Sequence, residues 1–241
     1  MSYNILDYGA VADGKTKCTS AIQAAIDDCT KSGGRVVIPS GTFLSGTLKL
    51  RTNVELHLEH GAVLLSSLDE ADIIDYFKEA ADDNEVDGWE GGCFLFALHE
   101  KNIAITGTGT IDGQGRNAFF DDDAPETAGN GSPLNVRGFR PRMSYLEDVE
   151  NLTVTDVTFF DSAFWTLHMA GCRNVRIENI VIDNNKRGPN NDGIDPDCCQ
   201  NVIIKGCRIK SGDDSIVLKS TTPMYKKYGD CKDIEIGRAH V

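Results

Sequence analysis

The sequence has few basic residues for its size, and this shortage excludes one large class of function. Among 241 residues, 24 Lys and Arg stand against 37 Asp and Glu, a formal net charge of −13. A protein that binds nucleic acid presents a basic face to the phosphates, and no stretch of this sequence supplies one. We therefore expect no nucleic-acid partner.

Long apolar runs are also missing. No segment approaches the roughly 20 consecutive apolar residues that a membrane-spanning helix needs. The opening residues, Met1-Ser2-Tyr3-Asn4, are not a basic stretch followed by an apolar one and so lack the pattern of a secretory signal. We expect a protein without a membrane partner that lies in the cytoplasm, with secretion as the alternative.

Patterns that bind metals or cofactors are absent as well. The sequence has no Asp-x-Asp-x-Asp-Gly loop for calcium. Its eight cysteines do not follow the regular spacing of a zinc site: Cys18, Cys29, Cys93, Cys172, Cys198, Cys199, Cys207 and Cys231. We expect buried free thiols, no metal and no cofactor.

One helix is evident near the N-terminus. Apolar residues recur at helical spacing at Ile22, Ala25, Ile26 and Cys29. Ser20 and Gln23 have the spacing of a capping box, which predicts where the helix begins. We predict that this helix covers the open end of a stacked core.

A phrase of Asn, an apolar residue, any residue and a second apolar residue is repeated along the chain. Its copies begin at Asn53, Asn102, Asn151, Asn174 and Asn201, with a degenerate copy at Asp233. The steps between copies are 49, 49, 23, 27 and 32 residues, one or two coils of a solenoid. We predict an all-β fold over residues 1–241, a right-handed parallel β-helix with an N-terminal capping helix. Each Asn would occupy a left-handed turn and bond its counterparts in neighbouring coils.

Two stretches interrupt the repeat. Residues 66–92 are strongly acidic, and residues 116–143 are rich in Asp, Gly and Pro. Insertions in a solenoid lie on one face, often the face that binds a ligand, although a solvated loop without a role would have the same composition.

Two acidic segments in adjacent coils carry the densest chemistry. If Ile194 and Ile216 occupy equivalent positions, Asp192 is level with Asp214, and Asp213 adjoins them. Neighbouring parallel strands lie ~4.8 Å apart, so the carboxylates would crowd together and at least one pKa would rise. A glycosidase needs this division between an acid and a base. Turns also favour Asp, Asn and Gly, and a single such segment would indicate no more than a turn.

The preceding coil adds an aromatic ring and a histidine to the same side. Counting back from the repeated Asn matches Leu167 with Ile194. Trp165 is then level with Asp192, and His168 is level with Asp195.

These residues resemble glycoside hydrolase family 28, the polygalacturonases and their pectin-cleaving relatives. The likeness extends over nearly the whole chain and includes Leu6-Asp7-Tyr8-Gly9-Ala10, Gly107-x-Gly109-x-Ile111-Asp112-Gly113, Arg140-Pro141-Arg142, Phe164-Trp165-Thr166-Leu167-His168, Gly188-Pro189-Asn190-Asn191-Asp192-Gly193-Ile194-Asp195 and Gly212-Asp213-Asp214. The resemblance implies an inverting hydrolase of α-1,4-galacturonosyl linkages in pectin-type polysaccharide or oligogalacturonides.

The resemblance also implies roles for single residues. Asp213 would be the general acid, and Asp192 and Asp214 would hold and deprotonate the attacking water. Asn190 would orient this cluster. His168 and Trp165 resemble substrate-lining positions.

A polyanionic substrate is not attracted at long range by a protein of net charge −13, so local cations must bind it. The candidates are Arg140, Arg142 and Lys219, with Arg137, Lys186 and Arg187 nearby. Solubilising surface charge would explain any one of them equally well.

Three alternatives stay open at this point. A related rhamnogalacturonan or other uronate hydrolase would keep the carboxylates and differ in its loops. A polysaccharide lyase would need a calcium-type acidic site and an Arg or Lys base. A β-helix that only binds glycans, or an inactive fragment, would not depend on the carboxylates.

The end of the sequence carries an expectation of its own. The repeat is still running at Asp233, and residues 236–241 match the translation of a common sequencing adapter. We expect a C-terminally truncated chain in which the natural residues end near Ile236, while the gene continues beyond them. Two family motifs, Gly-His-Gly and an Arg-Ile-Lys beyond the acidic pair, are unmatched, which predicts little hydrolysis by the isolated chain.

Overall fold

Three parallel sheets wind around a common core in a computed structural model of the chain. The structure describes residues 1–75, 92–118, 120–121, 135–136 and 139–240. The eight-stranded sheet contains Ser2–Asn4, Gly34–Ile38, Val54–Leu58, Lys101–Gly107, Glu150–Thr155, Arg173–Glu178, Gln200–Lys205 and Lys232–Gly237.

The other two parallel sheets complete each coil. The seven-stranded sheet contains Asp13–Lys17, Gly41–Ser45, Ala62–Ser66, Thr110–Asp112, Thr158–Phe160, Val181–Asp183 and Arg208–Lys210. The five-stranded sheet contains Leu48–Lys49, Cys93–Leu98, Arg142–Glu147, Leu167–Ala170 and Ile194–Asp197. The chain is a right-handed parallel β-helix, as predicted.

Short strands and helical segments lie outside the three parallel sheets. Phe120–Asp121 pairs antiparallel with Asn135–Val136. Helical segments cover Ile5–Tyr8, Thr19–Cys29, Glu70–Asp72, Gly115–Ala118 and Thr222–Tyr228. Across the described ranges, no helix is long and apolar enough to cross a bilayer.

The N-terminal helix closes the core as expected but begins differently. Its apolar residues Ile22, Ala25, Ile26 and Cys29 are buried in the main core cluster. The predicted capping box is wrong, because the helix begins at Thr19 after Cys18, without a side-chain cap. The side chain of Gln23 is already bound elsewhere, since it exchanges hydrogen bonds of 3.0 and 2.8 Å with the backbone of Lys49.

The predicted asparagine ladder is present on the outside of the eight-stranded sheet. Each amide nitrogen donates to the Asn oxygen one coil back, at 2.7–3.0 Å. The members have left-handed φ values of 54–62°, which Asn tolerates better than most residues: Asn53, Asn102, Asn151, Asn174 and Asn201.

Coil length varies at one turn. From Lys101 to Arg208, two residues connect the eight-stranded to the seven-stranded sheet in each coil, and two connect the five-stranded to the eight-stranded sheet. The third turn, from the seven-stranded to the five-stranded sheet, spans residues 67–92, 113–141, 161–166 and 184–193. Both predicted insertions lie at this turn, although much of each lies outside the described residues. The uneven repeat steps therefore come mainly from this turn.

Candidate active site

The two acidic segments lie in neighbouring coils at the predicted height. Ile194 forms a parallel bridge with Ile216, and Leu167 pairs with Ile194. The Gly193 amide continues this register by donating to the Asp214 carbonyl at 2.9 Å. The register that brings the acidic residues together is confirmed.

The aromatic residue and the histidine also lie where the register predicts. His168 pairs with Asp195, and the Thr166 amide donates to the Asp192 carbonyl at 3.0 Å. Trp165 is therefore beside Asp192, half-buried on the outer face of the five-stranded sheet. Its ring is not part of the solenoid core.

Asp192 is a buried carboxylate with a cation attached. It is 3 % exposed, and its Oδ2 accepts a hydrogen bond of 2.8 Å from Lys219 Nζ. Burial raises the pKa of Asp192, the nearby charge of Asp213 raises it further, and Lys219 opposes both. The predicted pKa rise in this cluster is therefore present, and burial is its main cause.

A second buried carboxyl, Asp195, was not singled out as a site residue from the sequence. It has no solvent exposure, and neither of its oxygens accepts a hydrogen bond within the part of the chain described. Its Oδ1 lies 3.6 Å from Lys219 Nζ. Burial and the charge of Asp192 hold the pKa of Asp195 well above its ordinary value. Ile194 faces the core, so strand alternation predicts that the next residue, Asp195, lies on the outer face of the sheet, and this signal could have located it.

Asp213 and Asp214 are exposed, and backbone amides orient the first of them. The Asn190 amide donates to Asp213 Oδ2 at 3.1 Å, and the Asp214 amide donates to Asp213 Oδ1 at 3.0 Å. Both oxygens of Asp213 thus have a fixed direction at the surface. The proposed acid is held from the adjoining coil by the residue expected to orient it.

Asn190 connects this acid to an arginine. The residue has a left-handed φ of 55°, and its Oδ1 accepts a hydrogen bond of 2.8 Å from Arg140. Arg140 lies over the Phe164 ring, 4.4 Å from the ring centroid, and also donates to the Pro189 carbonyl. Burial lowers the pKa of Arg140 to about 10, so it stays cationic at neutral pH.

Two buried asparagines behind the carboxylates also escaped sequence reasoning. Asn191 accepts a hydrogen bond of 2.7 Å from the Gly212 amide, which joins the Asp192 loop to the Asp213 loop. Asn184 donates to the Asn191 carbonyl at 3.0 Å and to Thr166 Oγ1 at 2.8 Å. These bonds fix the relative position of the three coils, and single Asn residues in turns gave no sign of them.

His168 and Arg142 lie below the surface, with exposures of 3 % and 2 %. Burial lowers the pKa of His168, whose Nε2 is 3.4 Å from Asp197 Oδ2. The Arg142 guanidinium lies 5.1 Å from the Trp165 ring centroid, and the edge of that ring meets His168. Both residues support Trp165 from below. Their direct contact with substrate stays a prediction, and this burial argues against it.

A short helix is anchored beyond this cluster by a buried glutamate. Glu147 is 1 % exposed and accepts hydrogen bonds of 2.6 Å from Tyr145, 2.7 Å from Lys227 and 2.7 Å from Tyr228. Tyr145 lies on the sheet, whereas Lys227 and Tyr228 belong to the helix Thr222–Tyr228. The helix is thus fixed on the outer face of the five-stranded sheet.

Two further observations concern the remaining candidates. Arg137 lies outside the described residues. Within the described ranges, no group of three or more His, Cys, Asp or Glu side chains is arranged to hold a metal ion.

The chain matches one family model over most of its length. That model, Glycosyl hydrolases family 28, matches residues 29–233. The chain is 31 % identical over 226 residues to a probable polygalacturonase of Vitis vinifera, and 32 % identical over 256 residues to an exo-poly-α-D-galacturonosidase of Dickeya chrysanthemi. These matches cover 91 % and 88 % of this chain but 44 % and 41 % of the relatives. The chain therefore spans less than half the length of either relative.

A solved structure agrees with this assignment. The family 28 exopolygalacturonase of Yersinia enterocolitica superposes on 99 % of this chain with a TM-score of 0.81 and 25 % sequence identity. This chain covers 48 % of that protein.

Proposed function

This chain belongs to glycosyl hydrolases family 28, and we propose that the protein hydrolyses α-1,4-galacturonosyl linkages of pectin-type polysaccharide or oligogalacturonides with inversion of configuration. One observation carries the proposal: the Ile194–Ile216 bridge puts Asp192 level with Asp214 in the adjoining coil, with Asp213 next to them.

The proposed reaction gives the three carboxyl groups two roles, that of a general acid and that of a base that activates water. Asp213 gives a proton to the glycosidic oxygen as the bond from that oxygen to the anomeric carbon breaks. Asp192 and Asp214 hold a water on the opposite face of the sugar and remove its proton as it attacks the same carbon. An inverting enzyme keeps acid and base about 6.5–9.5 Å apart to admit this water. The proton taken from water then returns Asp213 to its acid form through solvent.

The local charges support an anionic substrate. Arg140 is only partly buried, and it lies beside the acidic cluster with its charge intact at neutral pH. A galacturonate carboxylate can pair with this guanidinium, which Asn190 already orients. The two relatives described above are a probable polygalacturonase and an exo-poly-α-D-galacturonosidase, which favours a galacturonan over other uronates.

The test is an Asp213→Asn substitution in the protein at its full natural length. We expect at least a 10²-fold loss of reducing-sugar release from polygalacturonate, since an acid positioned at the leaving oxygen contributes about 10²–10⁴-fold. The melting temperature should stay within a few degrees, because Asp213 is exposed.

Asp230→Asn, an exposed carboxylate beyond the helix Thr222–Tyr228, is the matched control and should keep wild-type turnover. Full activity of Asp213→Asn would exclude the mechanism. Release from rhamnogalacturonan but not from polygalacturonate would reassign the substrate, and products that absorb in the ultraviolet would indicate a lyase.

A further inference from the structure

Lys219 lies between two buried carboxyls instead of pointing into solvent. Its Nζ is 2.8 Å from Asp192 Oδ2 and 3.6 Å from Asp195 Oδ1. The Lys219 amide donates to the Pro196 carbonyl at 2.8 Å, so the backbone of the preceding coil fixes the position of the Lys219 backbone. The Lys219 side chain is therefore fixed both at its backbone and at its ammonium group.

An aromatic ring covers the same ammonium. Lys219 Nζ lies 4.2 Å from the Trp165 ring centroid, within the range of a cation–π contact. The Lys219 side chain is 14 % exposed. Because the ammonium is already paired and covered, it is poorly placed to bind a sugar carboxylate. Binding that carboxylate is the role expected for Lys219 from the sequence.

Charge balance assigns the two carboxyls different states. A single ammonium cannot compensate two buried negative charges, and an uncompensated buried charge is neutralised by protonation. Asp195 is the deeper carboxyl and has the longer contact with Lys219, whereas Asp192 has the shorter one. Asp192 is therefore the carboxyl that keeps its charge.

We infer that Lys219 is a positioning residue for the proposed base, holding the Asp192 carboxylate charged and oriented, with the Asp195 carboxyl behind the ammonium. The inference rests on the proposed function for the role of Asp192 in catalysis. The electrostatic pairing itself does not depend on any activity.

Other charged groups act on the same site and bear on its pH dependence. The titratable and charged side chains that interact with the Asp192–Asp195–Lys219 cluster are Arg140, Arg142, His168, Asp213 and Asp214. Burial would lower the pKa of Lys219, but its carboxyl neighbours raise it, and the charged Asp192 contributes both a hydrogen bond and a negative charge, so Lys219 stays cationic. Loss of Lys219 therefore leaves Asp192 without its closest positive partner.

The first test titrates Asp192 directly by ¹³C NMR of its carboxyl carbon, with Asp192→Asn to assign the resonance. An opposite charge at this distance lowers a carboxyl pKa by about 1–3 units, so Lys219→Met should raise the titration midpoint of Asp192 by at least about one pH unit. Lys219→Arg keeps the charge and should restore most of the difference. Lys205→Met, which alters an exposed lysine of the eight-stranded sheet, should leave the midpoint unchanged.

The second test measures kinetics on oligogalacturonides across the pH range. Asp192 must be ionised to act as a base, so its higher pKa in Lys219→Met moves the acidic limb of kcat to higher pH. We expect the midpoint of the acidic limb of kcat to rise by at least about one pH unit, with KM changed less than twofold. If the Met variant melts early, Lys219→Gln gives the same comparison.

Two outcomes overturn the inference. One is an Asp192 midpoint in Lys219→Met within half a pH unit of the wild type. The other is a tenfold rise in KM with an unmoved acidic limb, which would make Lys219 a ligand of the sugar carboxylate. An inactive wild type would instead overturn the proposed function, and the NMR titration alone would then decide the role of Lys219.

Discussion

The asparagine ladder and the outer face of the five-stranded sheet are both built from polar side chains, but they use them differently. In the ladder, each exposed Asn bonds an identical residue one coil away. On the outer face, buried carboxyl groups meet partners of other kinds: Asp192 meets Lys219, and Glu147 meets Tyr145, Lys227 and Tyr228. The ladder repeats, whereas the outer face does not.

The ladder links neighbouring coils of the solenoid, whereas the outer face carries the groups of the candidate active site. A ladder contact can be lost without stranding a buried charge, because water reaches its members. A contact on the outer face leaves its partners unsatisfied in a dry environment when it is lost, and unsatisfied buried groups are costly. Substitutions in the two regions should therefore differ in size and in pH dependence.

The largest effect is expected at the glutamate that anchors the short helix. Glu147→Ala removes one carboxylate that accepts from two tyrosines and a lysine, and Tyr145 is buried with it. We expect a loss of about 3 kcal/mol in the free energy of unfolding, measured by urea denaturation.

Glu150→Ala is the matched control for that experiment. Glu150 pairs with Lys101 at 3.2 Å on the surface, and exposed pairs contribute less than about 1 kcal/mol. Equal losses in the two variants would mean that burial does not distinguish the outer face.

A smaller loss is expected in the ladder. Asn151 makes hydrogen bonds of 2.8 and 3.0 Å to its two neighbours, at a φ of 62°. Asn151→Ala loses the bonds and places Ala in a left-handed conformation, so we expect a loss of about 2 kcal/mol. Asn151→Gly loses the same bonds without that steric cost and should lose about 1 kcal/mol. Equal urea midpoints for the two variants would show that the backbone conformation contributes nothing.

The effect expected at Asp195 is the smallest of the three near pH 4 and differs from the other two because it grows with pH. Its raised pKa means that the folded protein keeps a proton that the unfolded chain releases above about pH 3.8. The carboxyl therefore costs stability increasingly as pH rises through this window. Asp195→Asn removes that cost, so the variant should gain stability relative to the wild type between pH 4 and pH 7, by up to about 1.4 kcal/mol per pH unit.

Urea denaturation of both proteins at pH 4, 5, 6 and 7 measures this difference. A difference that stays flat or shrinks as pH rises would show that Asp195 is ionised in the folded protein. The Asp192–Lys219 pairing would then have to be shared between both carboxyls.

Much of the fold and the register of the site followed from repetition. A residue type that recurs at every coil has to satisfy the same backbone position each time, so Asn53 to Asn201 predicted the left-handed turns and the ladder. Matching Ile194 with Ile216 located the carboxylates for the same reason. The capping box failed because spacing alone does not show that Gln23 is bound to Lys49.

The groups that the sequence did not predict have partners of a different residue type, far away along the chain or in another coil. Glu147 meets residues about eighty positions later, and Asn191 reaches the Gly212 amide in the next coil. Such contacts leave no period and no motif, since each occurs once. The state of Asp195 depends on its complete burial and on its distance from Lys219, which only the packed structure reveals.

Between Lys101 and Arg208, coil length varies only at the turn from the seven-stranded to the five-stranded sheet, so this turn can be altered independently of the coils. Since the other two turns keep a constant two residues from Lys101 to Arg208, foreign segments grafted between the seven-stranded and five-stranded sheets should leave the winding of the coils intact. Every such graft would emerge along the same edge, the edge that carries Asp192. Swapping loops at this edge is therefore the experiment that would show whether it sets the glycan specificity of the function we propose.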